Sequence, residues 1–244
     1  MGRFLRSVGL KAPKRRAART ANKELIVRVR YYNHGRRDRP TVALTFDDGP
    51  NPPRTDQLLE ILSVKKTRAS FFVIGKWVER FPKALERIVA AGHVVGNQSY
   101  AHTKNIGDFD RAEAVIAAIT GKPCAFLRVH YFQKLAVVLK SPLAMSPALK
   151  IIYADVDPAD YAQDDPDEIV RRVLGSKNLG NGSIIVLHDG SESEDDAARL
   201  SRPLPTIAAL PKLIDRLRDR GLEPVGLDEM DLDHPYEWTP SDDG

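Results

Sequence analysis

A single cysteine, Cys124, leaves the chain with no partner for an internal disulfide, so no part of the fold needs an oxidising compartment. Its plain reading is a small buried hydrophobe. Long apolar runs are also missing. No segment approaches the roughly 18 uninterrupted apolar residues of a membrane span. The opening stretch "MGRFLRSVGLKAPKRRAARTANKEL" lacks the apolar core of roughly 7–15 residues that marks a secretory signal. A cytoplasmic protein is the resulting expectation. No internal repeat is visible, and 244 residues with 42% hydrophobic content suit one large core.

Charge is present but unevenly spread. Residues 1–40 hold thirteen Lys/Arg against Glu24 and Asp38, a net +11, so the whole-chain value of +4 leaves −7 for the remainder. The basic excess therefore reads as an N-terminal arm, residues 1–40, outside the main domain. As a solvated tail it needs no partner. It could also lie on an anionic membrane surface, where each Lys/Arg contributes about 1 kcal/mol; sequence-specific nucleic-acid recognition is not expected. An acidic tail is read over residues 231–244.

From Thr41 onward, short runs rich in β-branched and aromatic residues alternate with stretches of helical period. "TVALTF", "ASFFVIG", "HVVGNQ", "CAFLR", "KIIYADV", "GSIIVLHD" and "LEPVGL" predict strands. "RTDQLLEILSVKK", "FPKALERIVAAG", "DRAEAVIAAITG", "FQKLAVVLKS", "DPDEIVRRVLGS" and "LPTIAALPKLIDRLRDRG" predict helices between them, with Gly92 and Gly121 as stops and Asp165-Pro166 as a start. Such alternation implies an α/β fold with a mostly parallel sheet, open or closed as a barrel. In a parallel barrel the C-terminal strand ends share one face, and that face carries the active site. Here those ends carry similar chemistry: Asp47-Asp48, then Gln98 with His102, then Arg128, then Asp157 and Asp160, then His188-Asp189.

Two adjacent carboxylates pointing apart can do different work, one reaching a metal and the other acting as a base on the metal's water. Gln98 and His102, four apart, can grip one ion, although a divalent ion prefers histidine, carboxylate or thiolate to an amide. His188 sits where it could protonate a leaving group, and Arg128 could orient a carboxylate. Each residue also has a plainer reading. Asp47-Asp48-Gly49-Pro50 suits a strand-to-turn junction, His102 a turn histidine, and Arg128 a salt bridge at the rim.

In order, "TFDDGP", "NQSYAH", "LRVHY", "DVDPADY" and "IVLHDG" resemble the five motifs of the polysaccharide deacetylases with a NodB-type domain, carbohydrate esterase family 4, and look most like its rhizobial chitooligosaccharide deacetylases. The resemblance spans Thr41 to Met230. It implies a distorted (β/α)7 barrel that hydrolyses N-acetyl groups on sugars containing N-acetylglucosamine. It further implies Asp47 as general base, Arg128 as the arginine that holds it, His188 as general acid and Asp160 as the acid that tunes it. A divalent metal, zinc with cobalt or nickel as substitutes, would be held by Asp48 and His102, with Gln98 in the place of a second histidine. The backbone N–H of Tyr131 would form the oxyanion hole, Tyr161 would stand against the sugar, and Val186 and Leu187 would line the acetyl pocket.

The middle motifs depart from the family pattern. Gln98 replaces a histidine, Val129-His130 replace two prolines, Tyr161 replaces a tryptophan, and the segment from His102 to Arg128 is about one helix short. His130 is an alternative ligand for the vacancy at Gln98. Three readings follow: an N-deacetylase with a weakened metal site, a sugar-binding or regulatory protein of the same fold, or a domain whose basic arm is the functional part.

Overall fold

The computed structural model describes residues 29–101, 107–129, 146, 148–190, 204–233 and 235–238. Nine strands form one sheet: β1 (Val29–Tyr32), β2 (Thr41–Gly49), β3 (Ser70–Val73), β4 (Val94–Asn97), β5 (Phe126–Leu127), β6 (Lys150–Ile152), β7 (Ile184–His188), β8 (Glu223–Val225) and β9 (Tyr236–Trp238). They run in the order β7-β2-β3-β4-β5-β6-β1-β9, with β8 also pairing with β2. All pairs are parallel except β1 with β9. The circle is completed by isolated bridges, Val156 to Ile185 and His34 to Ser183, rather than by a full ladder. This is the distorted barrel that the family resemblance implied, and it closes the choice between open sheet and barrel that the alternation left.

The helices are α1 (Arg54–Val64), α2 (Gly75–Arg80), α3 (Pro82–Ala90), α4 (Gly107–Thr120), α5 (Pro166–Gly175) and α6 (Pro205–Asp219). Five of them fall on segments whose apolar period predicted them. Asp165 caps α5 by accepting from the Asp167 N–H, as Asp-Pro at a helix start should. The short α2, "GKWVER", escaped notice because six residues opening on glycine show less than two turns of pattern. The helix expected at "FQKLAVVLKS" lies outside the described residues.

Strand alternation sorts the core into two layers. On β2, Val42, Leu44 and Phe46 face outward into the cluster that includes Leu58, Leu62, Leu213 and Ile214 of the surrounding helices. Ala43 faces inward with Tyr32, Phe72, Phe126, Ile152 and Ile184, and Leu227, Met230 and Leu232 join them. The period of two that makes β2 apolar on one face thus directs Ala43, Thr45 and Asp47 into the barrel. Cys124 is half-buried against the outer cluster, and burial pushes its thiol pKa up, consistent with a small hydrophobe rather than a reactive thiol.

The proposed domain limits need correction. β1 pairs with β6, β9 pairs with β1, and Tyr32 and Leu232 are buried in the inner core. Residues 29–40, 231–233 and 235–238 therefore belong to the domain and not to an arm or a tail. The sequence signal was weak because "VRYY" and "YEW" are only four and three residues long, and their pairing is made across the whole chain.

Candidate active site

Four chain segments meet at the C-terminal mouth of the barrel. Asp47 and His188 are register partners on adjacent strands β2 and β7, so an acidic and a basic side chain emerge side by side on the inner face. Both strand ends close tightly beyond them. A Cβ on Gly190 would lie 2.0 Å from the Asp48 carbonyl oxygen, and one on Gly49 would lie 2.3 Å from the Asp189 carboxylate. The glycines of "DDGP" and "HDG" are required by this close approach of two loops.

In a regular strand, neighbouring side chains point to opposite faces. At Asp48 the pairing with β3 shifts register between Asp47 and Gly49, and Asp48 takes φ 72°. This bulge turns the second carboxylate back toward the first. Left-handed backbone at a non-glycine residue costs about 1–2 kcal/mol, and Ser99 shows the same conformation at φ 75°. Asn97 stabilises that second turn by accepting from the Ser99 N–H at 2.8 Å, while its own amide donates to the Phe109 carbonyl and to Glu113. Strain is thus concentrated on both segments that flank Gln98.

Asp47 is held from one side by Arg128, whose Nη1 donates to Asp47 Oδ1 at 2.6 Å and to Thr45 Oγ1 at 2.8 Å. The same guanidinium donates to the carbonyls of Ile152 and Tyr153 and lies 4.1 Å from the centroid of the Phe72 ring. Arg128 is 1% exposed, and burial lowers its pKa while Asp47 opposes that shift. A buried pair of this kind is justified by its hydrogen bonds rather than by net attraction. Its geometry, not a rim salt bridge, is what the "CAFLR" strand end builds.

His188 is held equally firmly. Its Nδ1 lies 2.7 Å from Asp160 Oδ1, its backbone N–H donates to Asp160 Oδ2 at 2.8 Å, and Thr206 Oγ1 donates to the same oxygen at 2.5 Å. Asp160 is fully buried in a single 3-10 turn, Asp160–Ala162. Burial by itself would favour neutral imidazole. The hydrogen bond and charge of Asp160, reinforced by Asp48 and Asp47, outweigh it and raise the pKa of His188 to about 10. The imidazolium is the resting form at neutral pH, with Nε2–H directed away from the Nδ1 anchor. Tyr161, 62% exposed, packs edge-on against His188 with centroids 5.2 Å apart.

Gln98 sits between the two acids. Its Nε2 donates to Asp47 Oδ2 at 3.2 Å and to Asp48 Oδ1 at 3.1 Å. Among the described residues, its Oε1 is buried with no hydrogen-bond partner. Of the three expected metal ligands, Asp48 and Gln98 stand in this arrangement. A cation shared by Asp48 and Gln98 requires the amide oxygen on the carboxylate side, but the N–H2 group is there. His102 lies outside the described residues, as do His130 and Tyr131. Among the described residues, no three His, Cys, Asp or Glu side chains come together as a metal cluster. With its N–H2 group on both carboxylates, Gln98 as placed does not fit a divalent ion.

Leu187 does not line the site. On β7 the inner face is Ile184, Val186 and His188, while Ile185 and Leu187 point into the outer cluster against the helices. One residue of strand spacing separates a pocket wall from core packing, and of Val186 and Leu187 only Val186 shares the face of His188. Several contributors were not singled out from the sequence. Thr206 and Thr45 carry second bonds to Asp160 and Arg128. Thr45 is the one with a signal, a polar residue at an inward position of an apolar strand. Asp189 accepts from Thr55 Oγ1 at 2.6 Å, and burial, with Asp48 and Asp47 adding to it, raises its pKa to about 7.

A parallel barrel with a held carboxylate beside a held imidazolium places a base and an acid together at the strand mouth, an arrangement suited to hydrolysis. The sequence matches the family model described as polysaccharide deacetylase over residues 34–141. It is 35% identical over 190 residues to a chitooligosaccharide deacetylase of Sinorhizobium fredii, covering 75% of this chain and 87% of that protein. It is 31% identical over 209 residues to a peptidoglycan-N-acetylglucosamine deacetylase of Bacillus cereus, covering 78% of this chain and 87% of that protein. The chain belongs to the polysaccharide deacetylase family. A crystal structure of a peptidoglycan N-acetylglucosamine deacetylase bound to an N-hydroxybenzamide superposes with a TM-score of 0.71 at 30% identity, over 82% of this chain and 92% of that one. A family pseudoenzyme from Bacillus anthracis has the same fold, with a TM-score of 0.69 at 23% identity over 81% of this chain and 67% of that one.

Proposed function

We propose that this protein binds short N-acetylated amino-sugar chains across the barrel mouth and hydrolyses their acetamide groups. The observation that carries this reading is the register pairing of Asp47 with His188, each anchored by its own buried partner. Asp47, oriented by Arg128, takes a proton from a water molecule as the water oxygen bonds to the acetamide carbonyl carbon. The resulting oxyanion needs a donor, and the Tyr131 N–H expected from the "LRVHY" motif is the candidate. As the C–N bond breaks, the Nε2 proton of His188 passes to the departing nitrogen. Acetic acid and a free amine result; the acid ionises to acetate on release, and the proton held by Asp47 returns through water to His188, so atoms and charge balance. Tyr161 offers the exposed aromatic face against which a pyranose ring can rest, and Val186 borders the acetyl methyl.

The test is acetate release from chitotetraose, measured for the natural protein, Asp47→Asn and His188→Gln. Release that both substitutions abolish supports the reading. Absence of both acetate release and binding of any N-acetylated oligomer would overturn it. The amide of Gln98, lying where two carboxylates converge, favours a second reading in which the sugar binds and turnover is slow or absent. Calorimetric binding without acetate would decide for that second reading.

A further inference from the structure

Two carboxylates that converge within hydrogen-bond distance of one point repel each other unless something positive lies between them. In this protein the atom at that point is Gln98 Nε2, 3.2 Å from Asp47 and 3.1 Å from Asp48. A primary amide carries two N–H donors on one nitrogen, so each carboxylate receives its own hydrogen. Rotating the amide by half a turn would bring Oε1 to the same two oxygens and place three acceptors in contact. The orientation is therefore dictated by the acids, and it persists even though Oε1, buried, finds no partner among the described residues. Gln98 is itself 3% exposed and its backbone N–H is bonded to the Val73 carbonyl, so the side chain is delivered from a fixed strand end.

We propose that Gln98 replaces the divalent cation with a hydrogen-bonded amide, which clamps Asp47 to Asp48 and lets the site assemble and hold its sugar without metal. The inference rests on the sugar-binding reading above. It also gives that reading a consequence: the site keeps its base and acid but has no Lewis acid at the carbonyl, so turnover is slow and ligand binding is insensitive to chelation. Exchange of the amide for a metal-binding group should reverse this. Gln98→His removes the clamp and supplies an imidazole. Gln98→Glu keeps the shape but puts a third carboxylate against the first two, an arrangement relieved by a bound cation or, in its absence, by taking up a proton.

Zinc content is measured on the full chain after loading with zinc and exhaustive dialysis, beside both variants, together with thermal midpoints in zinc and in EDTA. Chitotetraose binding is followed by calorimetry under the same two conditions. The natural protein is expected to retain well under one zinc per chain, to melt at the same temperature with zinc or EDTA, and to bind chitotetraose equally in both. Gln98→Glu is expected to melt lower in EDTA and to be rescued by zinc, and Gln98→His to retain close to one zinc. Stoichiometric zinc in the natural protein, with a midpoint that falls in EDTA, would overturn the inference even if neither variant folds. Sugar that binds only with zinc would also overturn it and leave the proposed function standing. Absence of sugar binding under every condition, with zinc still excluded, would instead defeat the proposed function and leave the amide clamp intact.

Discussion

Replacing Asp160 by asparagine isolates the interaction that sets the charge of His188. In the natural protein the imidazolium is favoured from the ordinary value of 6.5 to about 10, and each unit is equivalent to about 1.4 kcal/mol. The His188 side chain is 18% exposed, so solvent screening is modest, and the full interval sets an upper bound of about 5 kcal/mol. Burial opposes the charge, while Asp47 and Asp48 remain in the variant, so a loss of about 2–3 kcal/mol at neutral pH is the expected size. The sign follows from the raised folded-state value. The stabilisation is fully present below pH 6.5 and disappears as pH rises through about 10. The stability gap between natural protein and Asp160→Asn should therefore be wide at pH 6 and narrow by pH 10. Urea denaturation across that range measures the gap, and ring-proton NMR of His188, assigned by its absence in His188→Gln, measures the titration. A gap that stays constant with pH, or a His188 that titrates as high in Asp160→Asn as in the natural protein, would refute the reasoning.

Arg128→Met strands the buried Asp47 carboxylate and should cost about 3–5 kcal/mol in denaturant unfolding, whereas adding Asp47→Asn to it should recover most of that loss. Asp189→Asn removes a carboxyl whose pKa is raised from 3.8 to about 7. The native contribution is present below the lower value and lost as pH passes the higher one, so relative to the natural protein the variant should gain roughly 1–3 kcal/mol between pH 4 and 8, read from denaturation midpoints. Leu187→Ala should destabilise by about 2–5 kcal/mol with sugar affinity unchanged. Val186→Ala should cost less stability and alter chitotetraose affinity, and the reverse pattern would reassign the two faces of β7.

The apolar runs of β2, β3 and β7 and the periods of five helices were legible in the sequence because each carries its signal locally. "TVALTF" alone orders Val42, Leu44 and Phe46 on one side and Thr45 and Asp47 on the other. Gly49 and Gly190 were legible only as turn formers. Nothing local indicates that each is pressed against the other segment's backbone or carboxylate, because the residues that exclude a side chain are more than a hundred positions away. Likewise "VRYY" and "YEW" gain their strand character from partners at the far end of the chain.

The sequence by itself determined the alternating architecture, the strand ends on which acids, arginine and histidine stand, and the anomaly at Gln98, since these depend on residue type and spacing alone. The tertiary structure decided the rest. It showed that a bulge turns Asp48 back toward Asp47, that Leu187 belongs to the helix layer, and that Asp160, itself bonded by Thr206, favours the charged form of His188. Above all it showed which end of the Gln98 amide meets the two carboxylates. An amide can donate or accept, and its role is chosen by the charges that the fold brings to it.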